Sequence, residues 1–256
     1  MAIHQVRHLY DFRRINALEH FIKTNVQNKI IADCGSGSGI ITWLALKYGA
    51  KKVYCIEKDT HALLHLNDFL YGNNNKVEIC KIDYTTEQLP HADIYIHDMS
   101  ETYFFTKEFY YFLKNCKKQN IQNVYPNKVK FFQGSIDKEY EYESANARKN
   151  TDLETESTTF FNLMHKIYPG FASSKKNIFN SKITLKDVSC ILDTDIFKLL
   201  DLSIPFENRE HIWWEASFDD KFTISSINNQ HNRCNIGMQK TKLFKSNLRS
   251  LLKSQP

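Results

Sequence analysis

Paired cysteines are missing from this sequence. Its six cysteines form no C-x-x-C pair and no combination at the spacing of a zinc site. Several fall in apolar segments, where a free thiol behaves as a small hydrophobic side chain. The pattern argues against a disulfide framework and against a sequence-local metal site. We therefore expect a reduced, intracellular protein whose functional site contains no metal.

Long hydrophobic runs and a strong charge bias are missing as well. No apolar run approaches the ~18–20 residues of a membrane-spanning helix, and the first residues carry no signal-peptide pattern. The net charge is only +5 and the basic residues are spread along the chain, which argues against nucleic acid as a partner. The sequence contains no P-loop and no nucleophile elbow. We expect a soluble, cytoplasmic protein without a membrane span.

The most informative stretch is residues 30–59, which predict one strand–loop–helix–strand unit. A short apolar run precedes three alternating glycines, and glycine lets the backbone turn sharply and lets a ligand approach closely. Helical spacing follows, and a second apolar run then ends in an acidic residue. The parts are, in order, the strand 30–32, the loop glycines Gly35, Gly37 and Gly39, the helix 40–48 with its stop at Gly49, the strand 53–56, and Glu57.

The spacing of these glycines indicates which nucleotide the loop binds. A dinucleotide fold uses G-x-G-x-x-G and places a pyrophosphate on the helix N-terminus. Here Asp33 leads the loop, and its carboxylate would repel a pyrophosphate but accept a hydrogen bond from an ammonium group. Glu57, about 20 residues further on, suits the ribose hydroxyls. These two acids fit a cofactor with a cationic amino-acid end and an adenosine end, such as S-adenosyl-L-methionine (SAM). The alternative is a glycine-rich turn in another kind of α/β protein.

Strands and helices continue to alternate beyond this unit, which predicts a Rossmann-like doubly wound α/β sheet. Its crevice lies outside the carboxyl ends of the strands, so residues that follow the strands are candidates for the site. Asp83 follows the third strand and is expected either to meet the adenine amino group or to be a surface turn acid. The expected elements are helices at 4–28, 61–71 and 104–117 and strands at 77–82, 92–96 and 127–132.

The exit of the fourth strand carries the candidate catalytic residues. Asp98 and Glu101 are carboxylates that would orient an acceptor, and His97 is a possible base near neutral pH. The alternative is a helix N-terminus, in which Asp98 or Ser100 caps and Glu101 completes a capping box. On the first helix, Arg14 either pairs with Asp11 one turn away or meets the carboxylate of the cofactor.

The second half of the chain has a different composition. Residues 137–157 are polar and predict a solvated loop or insertion, and 160–167 predict a short helix. From about residue 178, short segments at 183–192, 212–218 and 222–227 predict a β-rich part. Residues 240–253 predict a basic amphipathic helix, docked on its own domain or bound to an acidic partner or membrane surface. The expected domains are 1–135, an insertion or lid at 136–180, and 181–256.

Three segments resemble the class I SAM-dependent methyltransferases, and most of all the protein arginine N-methyltransferases and their smaller bacterial relatives. They are 31–41 (IADCGSGSGII), 49–57 (GAKKVYCIE) and 89–96 (LPHADIYI). The resemblance covers residues 11–135 and weakens over 178–245, where the family carries a β-barrel-like domain. It implies homodimers and a cofactor site in which Arg14 contacts the SAM carboxylate. The expected cofactor contacts are Arg14, Asp33, Gly35, Ser36, Gly37, Gly39, Glu57, Lys58, Ile82 and Asp83.

The chain departs from the arginine methyltransferases at the acceptor site. That family binds the guanidinium with two glutamates, and here Asp98 stands at the first position and Lys107 at the second, with Glu108 adjacent. The family's T-H-W loop matches near 237–239 without its histidine and tryptophan. The altered clamp argues against arginine as the acceptor.

The sequence thus predicts a methyltransferase that converts SAM to S-adenosyl-L-homocysteine. The expected acceptor is a nitrogen or oxygen of a small molecule or peptide. One alternative is a protein arginine N-methyltransferase, and a second is a catalytically inactive SAM-binding scaffold. A nucleic-acid acceptor is not expected, because no N-P-P-Y-type run follows the fourth strand.

Overall fold

The computed structural model describes two compact units. It describes residues 12–70, 75–98, 107–137, 184–201, 211–219, 222–225, 227–228, 233–234 and 239–240. Of these residues, the first unit contains those up to 98 together with 123–125, and the second contains the others. None of the helices in the described ranges is long and apolar enough to cross a bilayer.

The first unit is built on a five-stranded parallel sheet with the order β3-β2-β1-β4-β5. The strand order reverses between β1 and β4, and such a switch point is where open α/β sheets bind ligands. The predicted fold class is confirmed. Its elements are α1 (Phe12–Asn25), β1 (Ile30–Cys34), α2 (Ile40–Lys47), β2 (Lys52–Glu57), α3 (Thr60–Leu70), β3 (Val77–Lys81), β4 (Ile94–Ile96) and β5 (Val124–Tyr125).

The predicted elements of this unit agree with the structure to within two or three residues at most ends. β1 and β2 are almost wholly buried, as expected for parallel strands covered on both faces. The prediction missed β5, which is only two residues long and too short for a periodic signal. For the predicted helix 4–28, α1 accounts for the central part, and residues 4–11 lie outside the described residues.

Phe21 anchors α1 in the core of the first unit. Its side chain is fully buried and its ring centroid lies 4.6 Å from that of Tyr125 in β5. We expect Phe21→Ala to lower the free energy of unfolding by about 3–5 kcal/mol, because it removes a large side chain and leaves a cavity. Urea denaturation measures this effect. Leu64→Ala, at a side chain that is 59% exposed, is the control and should change stability by less than about 0.5 kcal/mol; equal losses would place Phe21 outside the core.

The second unit is built on an antiparallel sheet, which confirms the β-rich prediction. The strand order is β12-β8-β6-β7, with β9 also paired to β8, while β10 and β11 pair separately. Its buried side chains include Phe131, Trp214 and Phe218. The elements are α4 (Lys107–Lys118), β6 (Lys128–Asp137), β7 (Thr184–Asp195), a 3₁₀ helix (Ile196–Leu200), β8 (His211–Ser217), β9 (Thr223–Ser225), β10 (Ile227–Asn228), β11 (Arg233–Cys234) and β12 (Gln239–Lys240).

The compact units divide the chain differently from the expected domains. β6, which the sequence grouped with the first domain, pairs with β7 and β8 in the second sheet. α4 also belongs to the second unit. The predicted C-terminal helix begins at Lys240, but this residue is in β12 and pairs with His211 of β8. The expected insertion was 136–180, and its first two residues end β6. Residues 138–180, the short helix 160–167 and the rest of the basic C-terminal helix lie outside the described residues.

Candidate active site

The glycine-rich loop between β1 and α2 is tied to the end of β2. The N–H groups of Gly35 and Ser36 both donate to the carbonyl of Ile56, at 2.9 and 3.0 Å. The Ser36 hydroxyl donates to the carbonyl of Asp33 at 2.8 Å, so this side chain closes the loop internally. Gly35, Gly37 and Gly39 have φ values of 79°, 49° and 80°, a region in which a side chain is strained. The glycines therefore give the loop its shape, as predicted.

Glu57 links the end of β2 to the same loop. Its Oε2 accepts the N–H of Gly37 at 3.0 Å, and its Oε1 accepts the N–H groups of Lys58 and Asp59 at 2.8 and 2.9 Å. The residue is only 8% exposed. Each carboxylate oxygen has two lone pairs, so Oε2 retains capacity for a ligand hydroxyl. The backbone contacts fix this carboxylate next to the loop, where the prediction placed the ribose.

Asp33 lies buried under the loop at the end of β1. Its Oδ2 accepts two hydrogen bonds from Thr42 in α2, from Oγ1 at 2.7 Å and from the backbone N–H at 3.1 Å. Burial raises the pKa of Asp33 to about 7, and the nearby charges of Asp98 and Glu57 add to this effect, while the Thr42 bonds oppose it. The sequence prediction missed Thr42, although its place in the first helical turn after the loop is a usable signal.

Asp98 and Arg14 form a buried ion pair. Arg14 is in α1 and Asp98 follows β4. Nη2 of Arg14 lies 3.4 Å from Oδ2 of Asp98, and the two side chains are 5% and 6% exposed. The sequence prediction offered Asp11 or the cofactor as the partner of Arg14, and did not anticipate Asp98. Asp11 lies outside the described residues. The structure brings a predicted cofactor residue and a predicted catalytic residue into direct contact.

His97 is fully buried between Asp98 and β4. Its ring makes an edge contact with Tyr84, with centroids 5.1 Å apart, and its backbone N–H donates to the carbonyl of Tyr125 at 2.9 Å. Burial lowers the pKa of His97 to about 3, so the imidazole is neutral and a weak base near pH 7. These features favour Asp98 over His97 as the group that handles a proton.

Asp83 forms a turn at the end of β3. Its Oδ1 accepts from the Thr85 N–H and hydroxyl, and its own N–H donates to Glu87 at 2.7 Å. Lys58 Nζ lies 3.8 Å from its Oδ2, and Ile82 beside it is half-buried. These contacts match the turn-acid alternative, and the adenine contact of Asp83 stays a prediction.

The remaining acidic candidates are not among the described residues of the first unit. Glu101 lies outside the described residues. Glu108 is in the first turn of α4, in the second unit. The sequence prediction missed Tyr84, which is 3% exposed and whose ring lies about 3.5 Å from the place where a Cβ on Gly35 would be.

The electrostatics of the site distinguish between ligands. Asp98 and Glu57 lie close enough to Asp33 that their negative charges raise its pKa. Among the residues that the structure describes, only the charge of Asp98 is matched by a buried cation, that of Arg14. An excess of buried negative charge attracts a cationic ligand and repels a pyrophosphate. The arrangement therefore agrees with the expected preference for a cofactor with a positively charged amino-acid end.

Comparison with known sequences relates the first third of the chain to methyltransferases. Residues 13–97 match the family model of the ribosomal protein L11 methyltransferase (PrmA). Histone-arginine methyltransferase CARMER of Culex quinquefasciatus is 33% identical over 84 residues, which cover 32% of this chain and 14% of that protein. Ribosomal protein L11 methyltransferase of Acinetobacter baumannii (strain SDF) is 55% identical over 42 residues, which cover 16% and 14%. The chain thus matches about one seventh of the length of these relatives.

Comparison with solved structures extends the likeness to both units. Protein arginine methyltransferase 10 of Arabidopsis thaliana aligns with a TM-score of 0.58 at 17% identity, over 91% of this chain and 80% of that one. The Trypanosoma brucei PRMT1 enzyme–prozyme heterotetrameric complex with AdoHcy aligns with a TM-score of 0.57 at 14% identity, over 91% and 82%. The predicted resemblance is confirmed: residues 13–97 are similar to a methyltransferase family, and the chain shares the fold of the arginine methyltransferase structures.

Proposed function

We propose that this protein is a SAM-dependent methyltransferase that transfers a methyl group to a nitrogen or oxygen of a small-molecule or peptide acceptor. The convergence of Asp33, Glu57 and Asp98 around the glycine loop carries this proposal. It combines a site for a cationic amino-acid end with a carboxylate for a ribose. The methyltransferase likeness of residues 13–97 supports the same activity.

The residues of the loop suit SAM as the cofactor. Asp33 would accept from its ammonium group and Glu57 from its ribose hydroxyls, while glycines allow its close approach to the backbone. Bound SAM supplies a methyl group on a positively charged sulfur, so the protein has to align an acceptor rather than activate the methyl group further. The donor and acceptor groups of the site fit this molecule.

Asp98 is the proposed catalytic residue of this reaction. Its carboxylate orients an N–H or O–H group of the acceptor and takes or shares the proton. Arg14 holds this carboxylate at the end of β4 through the 3.4 Å contact and therefore acts as a positioning residue. In this scheme Arg14 contributes through Asp98, in addition to its expected contact with the cofactor carboxylate. Glu101 stays a second candidate carboxylate.

A protein arginine methyltransferase is the second candidate function. The fold likeness favours it, and Asp98 already pairs with one guanidinium, that of Arg14. Against it, lysine replaces the second glutamate of the family at position 107. A homodimer and a cytoplasmic localisation stay predictions.

Ligand-dependent melting tests the cofactor site first. At SAM concentrations ~100-fold above Kd, we expect Tm to rise by about 5–11 °C. S-adenosyl-L-homocysteine should also raise it, and NAD or ATP at the same concentration should not. Stabilisation by NAD alone would contradict the assignment of the loop. No shift with any of the four ligands would contradict SAM binding.

Formation of S-adenosyl-L-homocysteine with a panel of acceptors distinguishes the candidate functions. The panel contains an arginine–glycine peptide, a lysine peptide, small amines and phenols. Turnover with an amine, a phenol or the lysine peptide supports the first proposal, and turnover with the arginine peptide alone supports the second. SAM binding without turnover across the panel would favour the inactive scaffold.

A further inference from the structure

The edge of the parallel sheet opposite the glycine loop carries a row of lysines. Lys29 precedes β1, Lys51 precedes β2, Lys52 is the first residue of β2, and Lys76 precedes β3. The N–H of Lys51 donates to the carbonyl of Lys29, and that of Val53 to the carbonyl of Lys76, both at 2.8 Å. Because neighbouring strands are about 4.8 Å apart, the backbones of these four lysines lie next to one another.

The ends of α1 and α2 continue the row. Lys23 lies in the last turn of α1 and Lys47 in the last turn of α2. Their ammonium groups lie 5.9 and 5.1 Å from the ring centroid of Tyr48, and Lys47 also lies 5.8 Å from that of Trp43. We call these six lysines the basic edge: Lys23, Lys29, Lys47, Lys51, Lys52 and Lys76.

Three carboxylates at the basic edge balance half of its charge. Glu19 accepts from the Tyr48 hydroxyl at 2.6 Å, Glu78 pairs with Lys52 at 2.6 Å, and Asp93 accepts the N–H of Ile30 at 2.7 Å. Six lysines against three carboxylates leave a clear positive excess among the described residues of this edge.

Local stabilisation explains only part of this charge. Lysines in the last turn stabilise a helix through its dipole, which accounts for Lys23 and Lys47. Lys29, Lys51 and Lys76 precede strands, are exposed, and form no ion pair within the part of the chain that the structure describes. The charges of these three exposed lysines are therefore available to a ligand.

We propose that the basic edge binds the phosphate backbone of a single-stranded nucleic acid, a partner that the scattered positions of its lysines in the sequence argued against. Lysine binds phosphate as a point charge on a flexible stem, so adjacent lysines reach successive phosphates. Half-buried aromatic rings lie among them, namely Trp43, Tyr48 and Tyr54, the last with Lys52 Nζ 4.4 Å from its centroid. Aromatic rings among basic side chains can stack on the bases of a nucleic acid. An acidic peptide has no bases, so the rings favour a nucleic acid as the partner.

The nucleic acid is a docking partner in this proposal and not the methyl acceptor. The basic edge lies at the amino ends of β1 and β2, whereas the glycine loop and Glu57 lie at their carboxyl ends. Strands of five or six residues separate the two ends by about 17–20 Å. The proposal is therefore independent of the chemistry assigned to Asp98.

Fluorescence anisotropy with a labelled poly-uridine oligonucleotide tests the proposal. We compare Lys29→Ala/Lys51→Ala/Lys76→Ala with the control Lys29→Arg/Lys51→Arg/Lys76→Arg, which keeps the positive charge at the same exposed positions. Each lost phosphate contact lowers the slope of log K against log salt by about 0.7 for a single strand. We expect the slope to fall by about 2 and the affinity at 0.1 M salt by about 100-fold in the first variant. The affinity of the control should change by less than about threefold, since arginine keeps the positive charge at each position.

Several outcomes would overturn the proposal. They are no binding by the wild-type chain at low salt, an equal loss in both variants, and binding of polyglutamate in place of the oligonucleotide. The last result would assign the edge to an acidic protein. Both variants should keep the melting temperature and the SAM response of the wild-type chain, because the substitutions lie on exposed side chains away from the loop.

Discussion

Asp33→Asn is expected to weaken SAM binding by about 100-fold, because a buried carboxylate that faces a cation contributes several kcal/mol. The substitution keeps the shape of the side chain, and Oδ can still accept the two Thr42 hydrogen bonds at 2.7 and 3.1 Å. What it removes is the negative charge. Isothermal titration calorimetry at pH 8, where Asp33 is ionised, measures the change in Kd.

The same variant should be more stable than the wild-type chain at pH 8, which separates lost binding from misfolding. The pKa of Asp33 rises from 3.8 in the unfolded chain to about 7 in the fold, so the folded state binds more protons between these values. Stability therefore falls as the pH rises from about 4 to about 7, by an amount on the order of 4 kcal/mol. The uncharged amide of the variant has no such cost, and urea denaturation at pH 5 and pH 8 measures the difference.

Asp93→Asn is the matched control for Asp33→Asn. It makes the same charge change in the first unit, at an exposed carboxylate that accepts the N–H of Ile30. SAM affinity should stay within about twofold, because solvent screens a charge on this edge. Unchanged SAM affinity in Asp33→Asn would show that this carboxylate does not face the cofactor's cation, and the cofactor assignment would then fail.

Asp98→Asn is expected to lower turnover by about 100–1,000-fold, within the range typical of a lost general base. SAM affinity should stay within about threefold, since Asp98 is assigned to the acceptor. The measurement is the rate of S-adenosyl-L-homocysteine formation with the acceptor of the panel that gives the fastest turnover, together with the Kd for SAM.

Asp98→Asn should also lower the stability of the chain, because it breaks the ion pair with Arg14. Removing one charge of a buried pair costs about 3–5 kcal/mol, and Arg14 and Asp98 are 5% and 6% exposed. The double variant Arg14→Gln/Asp98→Asn removes both charges and should recover part of the lost stability without recovering turnover. Asp93→Asn, at an exposed carboxylate outside the site, is the control and should keep its turnover. Normal turnover in Asp98→Asn would remove Asp98 from the catalytic assignment.

Local patterns in the sequence were enough to predict most of the first unit. The alternation of apolar runs placed β1, β2 and β3, and helical spacing placed α2 and α3. Three glycines at alternate positions predicted a loop that turns sharply, and the structure gives these glycines positive φ values. These signals depend on neighbouring residues alone, so they are readable without the fold. The β-rich second part was predicted in the same way.

The partners of the site residues depended on tertiary structure. Arg14 meets Asp98 because α1 lies against the end of β4, which no spacing along the chain reveals. Thr42 holds Asp33, and burial makes His97 a poor base, because the dielectric around a group is set by residues distant in sequence. β6 is a further example. The sequence predicted a strand there, but the sheet to which it belongs depends on its pairing with β7 and β8.

The sequence by itself therefore determined the type of fold, the glycine loop, and the acids that end β1 and β2. Only the tertiary structure decided the Arg14–Asp98 pair and the neutral state of His97. It also gathered six lysines, scattered from position 23 to position 76, at one edge of the sheet. Local sequence sets backbone conformation through sterics and periodicity, whereas charge pairing and burial depend on which segments the folded chain brings together.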